Sequence, residues 1–220
     1  MKVIIAKTAG YCYGVKRAME LAEKAAAQGR CYTLGPLIHN EQAVSRLRDK
    51  GVSEVSSVDE IPEGSTVIIR SHGATEKEIE ALRQKNCEIV DATCPNLLRI
   101  HKIVKEACKK GRKPVIIGSR SHPEVVGICG SCEGALVFKN AAELNDWLDS
   151  EPENRNIPVT VVYQTTETQA KKEECNNLIK KECTNYELFD TICGATSMRQ
   201  SEAAKLSEVC DAIVVIGGKS

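Results

Sequence analysis

The chain has 220 residues, 42% of them apolar and 27% charged, and thirty Lys and Arg residues balance thirty Asp and Glu residues. This size and composition predict a globular protein with enough apolar residues for a substantial core. The balanced charge provides no basic field for nucleic acid or for an anionic membrane surface. The N-terminal apolar run is too short for a signal peptide or a membrane span, so we expect a cytoplasmic protein.

Short apolar runs alternate with amphipathic helical segments along the chain, which is the pattern of an α/β fold with parallel strands. The predicted strands lie near residues 2–6, 31–34, 66–70, 88–91, 114–117, 135–138, 158–163, 186–190 and 212–217. The first helix is predicted to end at Gly29. Thr75 and Glu78 are spaced as a capping box at a helix start, and Thr166 and Gln169 form a second possible box.

A strand that leads into a Cys and then into a helix occurs three times, in "KVIIAKTAGYCYGVKRAME", "EIVDATCPNLLRIHK" and "YELFDTICGATSMRQ". The cysteines concerned are Cys12, Cys94 and Cys193. A repeated unit of this kind is an architectural signal, and it predicts three α/β lobes around a shared centre. The predicted lobes are 13–94, 95–190, and 1–12 together with 191–220, the last of which we expect to be truncated.

Eleven cysteines at long, irregular spacings predict reduced thiols or metal ligands rather than a disulfide framework. A Cys at a strand end and a helix start lies where the helix dipole stabilises a thiolate. Three such positions indicate shared ligation of zinc or of an iron-sulfur cluster, in which a three-Cys cubane leaves one iron open. Cys129 and Cys132 form the single CxxC, a rival ligand pair, a redox site or an incidental spacing. The other six cysteines, Cys108 among them, are expected to be structural.

Three histidines follow predicted strands, namely His39, His72 and His122. Neutral imidazoles beside Gly-rich turns can donate hydrogen bonds to a diphosphate, although each could equally be a turn residue. Glu124 lies in the first turn of a helix, where it either complements the helix dipole or serves as a proton source. Thr165 follows a buried strand, and its hydroxyl could relay that proton.

These residues resemble the 4-hydroxy-3-methylbut-2-enyl diphosphate reductases of the non-mevalonate isoprenoid pathway, the LytB/IspH family. The resemblance runs in order through "AGYCYGVKRAM", "GPLIHN", "RSHG", "DATCP", "GSRSHPEV", "QTT", "DTICGAT" and "VIGGKS", and so covers essentially the whole chain. It implies three pseudo-threefold-related α/β lobes around a [4Fe-4S] cluster that is held by three cysteines, which by motif are Cys12, Cys94 and Cys193.

The resemblance also implies the reaction and the roles of the polar residues. The substrate hydroxyl would bind the open iron, and His39, His72, His122 and Thr165 would contact the substrate. Glu124, assisted by Thr165, would deliver protons while two electrons cleave the C–O bond, giving isopentenyl or dimethylallyl diphosphate. A ferredoxin or flavodoxin type protein would supply the electrons.

Two other hypotheses remain open at this point. A non-catalytic iron-sulfur carrier or sensor would need a fourth Cys ligand, such as Cys129 or Cys132. A zinc-stapled binding module would need no redox chemistry. Both leave the histidines, Glu124 and Thr165 without a role.

Overall fold

The structure is a computed structural model and describes residues 2–217. The chain divides into two compact units, one formed by residues up to Pro95 together with those from Ala204 onward, the other by Asn96–Ala203. Each unit contains a four-stranded, all-parallel sheet. The predicted α/β class with parallel sheets is confirmed, while the division into three lobes stays a prediction.

The elements have the following bounds. The helices are α1 (Tyr13–Gln28), α2 (Glu41–Asp49), α3 (Glu76–Gln84), α4 (Pro95–Lys109), α5 (Pro123–Cys129), α6 (Ala141–Ser150), α7 (Gln169–Glu182) and α8 (Gly194–Ser207). The strands are β1 (Cys31–Leu34), β2 (Val52–Val55), β3 (Thr66–Ile69), β4 (Glu88–Asp91), β5 (Lys113–Ile117), β6 (Leu136–Phe138), β7 (Val159–Tyr163) and β8 (Tyr186–Leu188). Short 3-10 helices lie at Val58–Glu60 and Pro152–Asn156.

The sheet of the first unit has the strand order β2-β1-β3-β4. Successive residues of β3 face opposite sides, so Ile68 joins the cluster that contains Ala18 and Ala22 of α1, whereas Val67 packs with Leu82 of α3. A parallel sheet needs this cover on both faces. Because the strands run parallel, the loops that follow them emerge at one edge of the sheet.

The sheet of the second unit repeats this order as β6-β5-β7-β8. Every residue of the central strand β7 is buried. Val161 packs in the cluster that contains Leu144 of α6 and Ile179 of α7, while its neighbour Val162 is buried on the other face. The run "VTVVY", apolar except for Thr160, is therefore a strand that is covered on both faces, as in other parallel sheets.

The predicted strands and caps agree with the structure at most positions. Seven of the nine predicted strands are present, α1 ends before Gly29 as expected, and the Thr75/Glu78 capping box is formed. The Thr166/Gln169 box is wrong, because Thr168 caps α7 through the backbone N–H of Lys171. Strand β2 was not predicted, since its four residues "VSEV" contain only two apolar side chains.

The predicted strands at 2–6 and 212–217 are wrong. Both segments are described as irregular chain, and Ile5 and Val215 are 80% and 88% exposed. A strand exists only where a neighbour accepts and donates its backbone hydrogen bonds, and neither segment pairs with either of the described sheets. Apolar, β-branched composition indicated strand propensity at both places, but propensity does not supply the partner.

The expectation that all cysteines are reduced or bind metal is also wrong at one pair, because Cys108 and Cys132 form a disulfide. Cys108 lies in the last turns of α4, and Cys132 lies in the turn after α5. Sequence spacing could not indicate this bond, since only packing within the second unit brings the two residues together. The other nine cysteines are free thiols. No helix within residues 2–217 is both long and apolar enough to cross a membrane.

The disulfide should stabilise the second unit measurably. It closes a loop with a sequence separation of 24. A crosslink that closes a loop of this length lowers the entropy of the unfolded chain, which raises the free energy of unfolding by about 3 kcal/mol. We expect the double variant Cys108→Ala/Cys132→Ala to lose about this much free energy of unfolding. Urea unfolding followed by the fluorescence of Trp147, the single Trp, which lies in α6 of the same unit, measures the loss.

The matched control is Cys210→Ala, which removes a half-buried free thiol from the other unit. Its unfolding curve should follow that of the unchanged protein. If the double variant also does so, and reductant does not destabilise the unchanged protein, the bond is absent in solution.

Candidate functional site

Cys12 and Cys94 both lie at the start of a helix in the first unit. Cys12 is the N-cap of α1, and its carbonyl oxygen accepts the backbone N–H of Lys16 at 2.9 Å. Cys94 directly precedes Pro95, the first residue of α4. Proline favours the first position of a helix because that N–H has no helical partner. Both thiols are half-buried. The prediction that both cysteines lie at helix N-termini is confirmed.

The sulfur of Cys94 lies against the first turn of α1. A Cβ atom placed on Gly14 would approach the Sγ atom of Cys94 to 2.7 Å, so one of the two groups would have to shift. Arg17, one turn further along α1, donates to the carbonyl oxygens of Thr93 and Asp91 at 3.1 and 3.2 Å. Gly14 and Arg17 therefore fix the segment that carries Cys94 onto the helix that Cys12 caps.

Ser71 connects the other strand-end loops of this unit. Its hydroxyl donates to the carbonyl oxygen of Leu37 at 3.1 Å, and its own carbonyl oxygen accepts the backbone N–H of Cys94 at 3.0 Å. The neighbouring imidazoles of His39 and His72 contact each other, with ring centroids 4.3 Å apart. Two of the three predicted histidines are therefore brought together beside the loop that leads to Cys94.

In the second unit, Thr165 occupies the position that Ser71 has in the first. Its carbonyl oxygen accepts the backbone N–H of Cys193 at 2.9 Å. Its own N–H donates to Oε1 of Glu124 at 2.6 Å, and its hydroxyl donates to Oε2 at 2.7 Å. The loops after β7 and β8 and the first turn of α5 thus meet, and they place Glu124, Thr165 and Cys193 together.

Glu124 is a buried carboxyl with only 4% of its surface exposed. Burial raises its pKa above the usual value, because a charge is poorly solvated there. The two hydrogen bonds from Thr165 lower the pKa and so offset part of this shift, while the negative charge of Glu167 raises it further. The carboxyl therefore keeps its proton to higher pH than an exposed glutamate, as a general acid requires.

His122 is the N-cap of α5, and its Nδ1 atom accepts the backbone N–H of Glu124 at 3.2 Å. A nitrogen that accepts a hydrogen bond carries no proton, so the neutral ring carries its proton on Nε2. The cap thus fixes both the tautomer of His122 and the first turn that holds Glu124. The sequence predicted that Glu124 lies in this first turn of a helix.

Gln164 is a site residue that the sequence reasoning missed. Its side chain is buried, accepts the backbone N–H of Ser119 at 3.0 Å and donates to the hydroxyl of Thr166 at 2.8 Å. Gly118 makes room for it, since a Cβ there would approach the Cβ of Gln164 to 2.8 Å. Gln164 thereby joins the loop after β5 to the loop that carries Thr165. The signal was a Gln directly before the two threonines at the end of a buried strand.

Cys193 directly precedes Gly194, the first residue of α8, and is half-buried. The side-chain amide nitrogen of Asn96 lies 3.3 Å from its sulfur. Asn96 and Gly194 line one surface depression together with Arg99, Ile100 and residues 190–192.

The donor chemistry of Cys12, Cys94 and Cys193 fits an iron-sulfur cluster. All three are half-buried free thiols at helix starts, and soft thiolates are the ligands that such clusters use. Cys132 is unsuited as a ligand because it is bonded to Cys108, which leaves Cys129 as the possible fourth ligand of a carrier. Within residues 2–217 no three His, Cys, Asp or Glu side chains form a group arranged for a metal ion, so the ligand assignment stays a prediction.

Comparison with known proteins gives a consistent result. The family described as LytB protein matches residues 3–220. The 4-hydroxy-3-methylbut-2-enyl diphosphate reductase of Aquifex aeolicus is 40% identical over 224 residues, which cover 99% of this chain and 75% of that protein. The reductase of Citrifermentans bemidjiense is 42% identical over 219 residues, with coverage of 99% and 76%.

Two solved structures are similar as well. One is a structure of (E)-4-hydroxy-3-methyl-but-2-enyl diphosphate reductase, described as the terminal enzyme of the non-mevalonate pathway. It has a TM-score of 0.78 and 40% identity, and the match covers 99% of this chain and 77% of that one. A structure of the E-1-hydroxy-2-methyl-but-2-enyl-4-diphosphate reductase from Plasmodium falciparum has a TM-score of 0.87 and 26% identity, and the match covers 95% of this chain and 66% of that one.

The hydrogen bonds of Glu124 predict the direction of a pKa change. Thr165→Val removes the hydroxyl donor to Oε2 and leaves the backbone donor to Oε1. Because the lost bond favoured the charged carboxylate, we expect the pKa of Glu124 to rise further. Titration of the carboxyl carbon by NMR in glutamate-labelled protein checks this, with Glu124→Gln to assign the signal.

The matched control is Thr66→Val, which removes a threonine hydroxyl that donates to the exposed Glu88 at 3.1 Å. It should leave the titration of Glu124 unchanged. A pKa of Glu124 that falls in Thr165→Val would contradict the described hydrogen bond.

The close contact of Gly14 predicts a steric effect on Cys94. Gly14→Ala should displace the thiol and reduce the iron and sulfide bound per chain after anaerobic reconstitution severalfold. Gly194→Ala is the matched control, since it adds the same methyl group at the start of a helix beside Cys193, where nothing lies within 4 Å. Equal iron contents in the two variants would exclude the steric effect. Circular dichroism checks that both remain folded.

Proposed function

Because this chain belongs to the LytB family, we propose that it reductively removes the hydroxyl group of (E)-4-hydroxy-3-methylbut-2-enyl diphosphate. The products are isopentenyl diphosphate and dimethylallyl diphosphate. The observation that carries this proposal is the buried carboxyl of Glu124, held at both oxygens by Thr165, whose carbonyl oxygen in turn binds the N–H of Cys193. A proton donor thus lies beside one of the cysteines that a redox cluster would use.

We assign Cys12, Cys94 and Cys193 as the three ligands of a [4Fe-4S] cluster with one open iron. Their half-buried thiols at helix N-termini support the assignment, because the helix dipole stabilises the anionic thiolate. When bound, such a cluster supplies a coordination position for the substrate hydroxyl and transfers electrons one at a time.

The overall reaction consumes two electrons and two protons, breaks one C–O bond and forms one C–H bond and water. Glu124 holds one proton at its buried carboxyl. In the protonated acid, Oε2 donates to the Thr165 hydroxyl, so that Oγ1 can pass its own proton to the departing hydroxyl oxygen. The second proton goes to one of the two end carbons of the allyl group, and the choice of carbon decides which of the two products forms.

The three strand-end histidines are assigned to the diphosphate. His39 and His72 lie in ring contact in one unit, and His122 caps α5 in the other. Neutral imidazole donates a hydrogen bond to a phosphate oxygen without adding a charge. In His122 the cap leaves the Nε2 proton as the donor, since Nδ1 accepts from Glu124.

A ferredoxin or flavodoxin type protein is the proposed electron donor, and the cytoplasm is the proposed compartment. Nine of the eleven cysteines are free thiols, and thiols persist in reducing compartments. Cluster ligands in particular must remain unoxidised until iron and sulfide bind.

Turnover by a Glu124→Gln variant tests the proposal. Glutamine keeps the shape of the side chain but cannot supply an acidic proton. Loss of a general acid costs about 100-fold to 10,000-fold in rate, and we expect a loss in this range in an anaerobic assay that follows the two products. Glu173→Gln, which neutralises an exposed carboxylate on α7, should retain full activity.

A Mössbauer spectrum of the iron-57 protein separates the proposal from its rival. One iron of four that differs from the rest and responds to the substrate agrees with the reductase, and the same spectrum in Glu124→Gln shows that only the proton donor was lost. A non-catalytic carrier predicts four equivalent irons that do not respond, and loss of the cluster in Cys129→Ser. That result would overturn the proposed function.

A further inference from the structure

The contact between Asn96 and Cys193 has no role in the proposed reaction as described so far. Asn96 is the second residue of α4, and its Nδ2 atom lies 3.3 Å from the Sγ atom of Cys193. Both residues belong to the second unit, and they are 97 positions apart in the chain. A specific long-range contact of a polar side chain with one candidate ligand sulfur therefore requires an explanation.

The chemistry of a ligand sulfur determines the direction of this hydrogen bond. A thiolate that coordinates iron carries no proton, so its sulfur can only accept. The side chain of Asn96 must then present its amide N–H, and Nδ2 is the atom that the structure places toward the sulfur. The backbone N–H groups of Thr196 and Ser197 are directed elsewhere, since they bond to the carbonyl oxygen of Cys193.

We propose that the Asn96 amide raises the reduction potential of the cluster that Cys193 holds, an inference that rests on the proposed function. Hydrogen bonds to the sulfurs are among the features that determine the potentials of iron-sulfur clusters. An added electron increases the negative charge on the ligand sulfurs. An N–H dipole directed at one of them therefore stabilises the reduced form more than the oxidised form.

Asn96 suits this role because it is neutral. Its effect does not vary with pH, whereas charged neighbours would impose a field of one sign. Arg99 and Asp190, which line the same depression, carry opposite charges, and Asp190 is also paired with Lys172 at 2.6 Å. Replacement of Asn96 leaves these charges in place, so the contribution of the amide can be measured separately.

A redox titration followed by electron paramagnetic resonance tests the inference on the reconstituted protein. Asn96→Leu removes the donor at similar size, and we expect its midpoint potential to lie below that of the unchanged protein. Asn96→Asp places a negative charge near the sulfur, and its midpoint should lie lower still. Asn177→Leu, which changes an exposed Asn of α7, should have the unchanged midpoint.

A second measurement reports on the hydrogen bond itself. Electron–nuclear double resonance of the reduced protein should detect an exchangeable proton coupled to the cluster that is absent in Asn96→Leu. A merely structural role for Asn96 would change the thermal unfolding temperature without moving the midpoint or this coupling. If Asn96→Asp does not assemble a cluster, Asn96→Leu still decides the question.

The outcomes separate the two proposals. A normal cluster in the unchanged protein, with identical midpoints and proton couplings in Asn96→Leu, would overturn the inference and leave the reductase function intact. Absence of a four-iron cluster from the unchanged protein would overturn both.

Discussion

The hydrogen bond from the backbone N–H of Cys193 to the carbonyl oxygen of Thr165 is the interaction on which the rest of the second unit's site depends. It joins the loops after two adjacent strands, β7 and β8, because these strands end at the same edge of a parallel sheet. Its counterpart in the first unit runs from Cys94 to Ser71, across the ends of β3 and β4. In both units a backbone hydrogen bond therefore fixes a cysteine beside a residue with a hydroxyl group. The chemistry of the two units differs because different side chains surround that hydroxyl group.

That difference lies in what surrounds the hydroxyl residue. Ser71 is followed by His72, which contacts His39, so the first unit presents imidazoles suited to an anion. Thr165 instead donates twice to Glu124, so the second unit presents an acid. A carboxyl this deeply buried destabilises the fold when it is charged. Because its pKa is raised in the folded state, this cost appears as the pH rises through that pKa.

The sequence predicted the positions of the site better than the contacts within it. The positions of Cys94 and Cys193 after strands follow from local pattern, and so do the helix starts after Cys94 and after Thr75. The contact of Gln164 with Ser119, the Ser71 bridge and the Cys108–Cys132 bond each join segments that are separated in the chain, and no local signal specifies which segments meet. The failed strands at 2–6 and 212–217 have the same cause, since their composition favours a strand but only a neighbouring strand can complete one.

Two glycines of the site leave room for a neighbouring side chain. Gly14 leaves room for the sulfur of Cys94, and Gly118 leaves room for the side chain of Gln164. In each case the absent Cβ permits a side chain to approach the backbone, and a larger residue would have to displace that side chain. Gly194, by contrast, borders open space beside Cys193, where the Asn96 amide approaches the sulfur from one side. The environments of Cys94 and Cys193 are therefore unequal, one closed by packing and the other bounded by a hydrogen-bond donor, and such inequality allows the protein to influence each ligand separately.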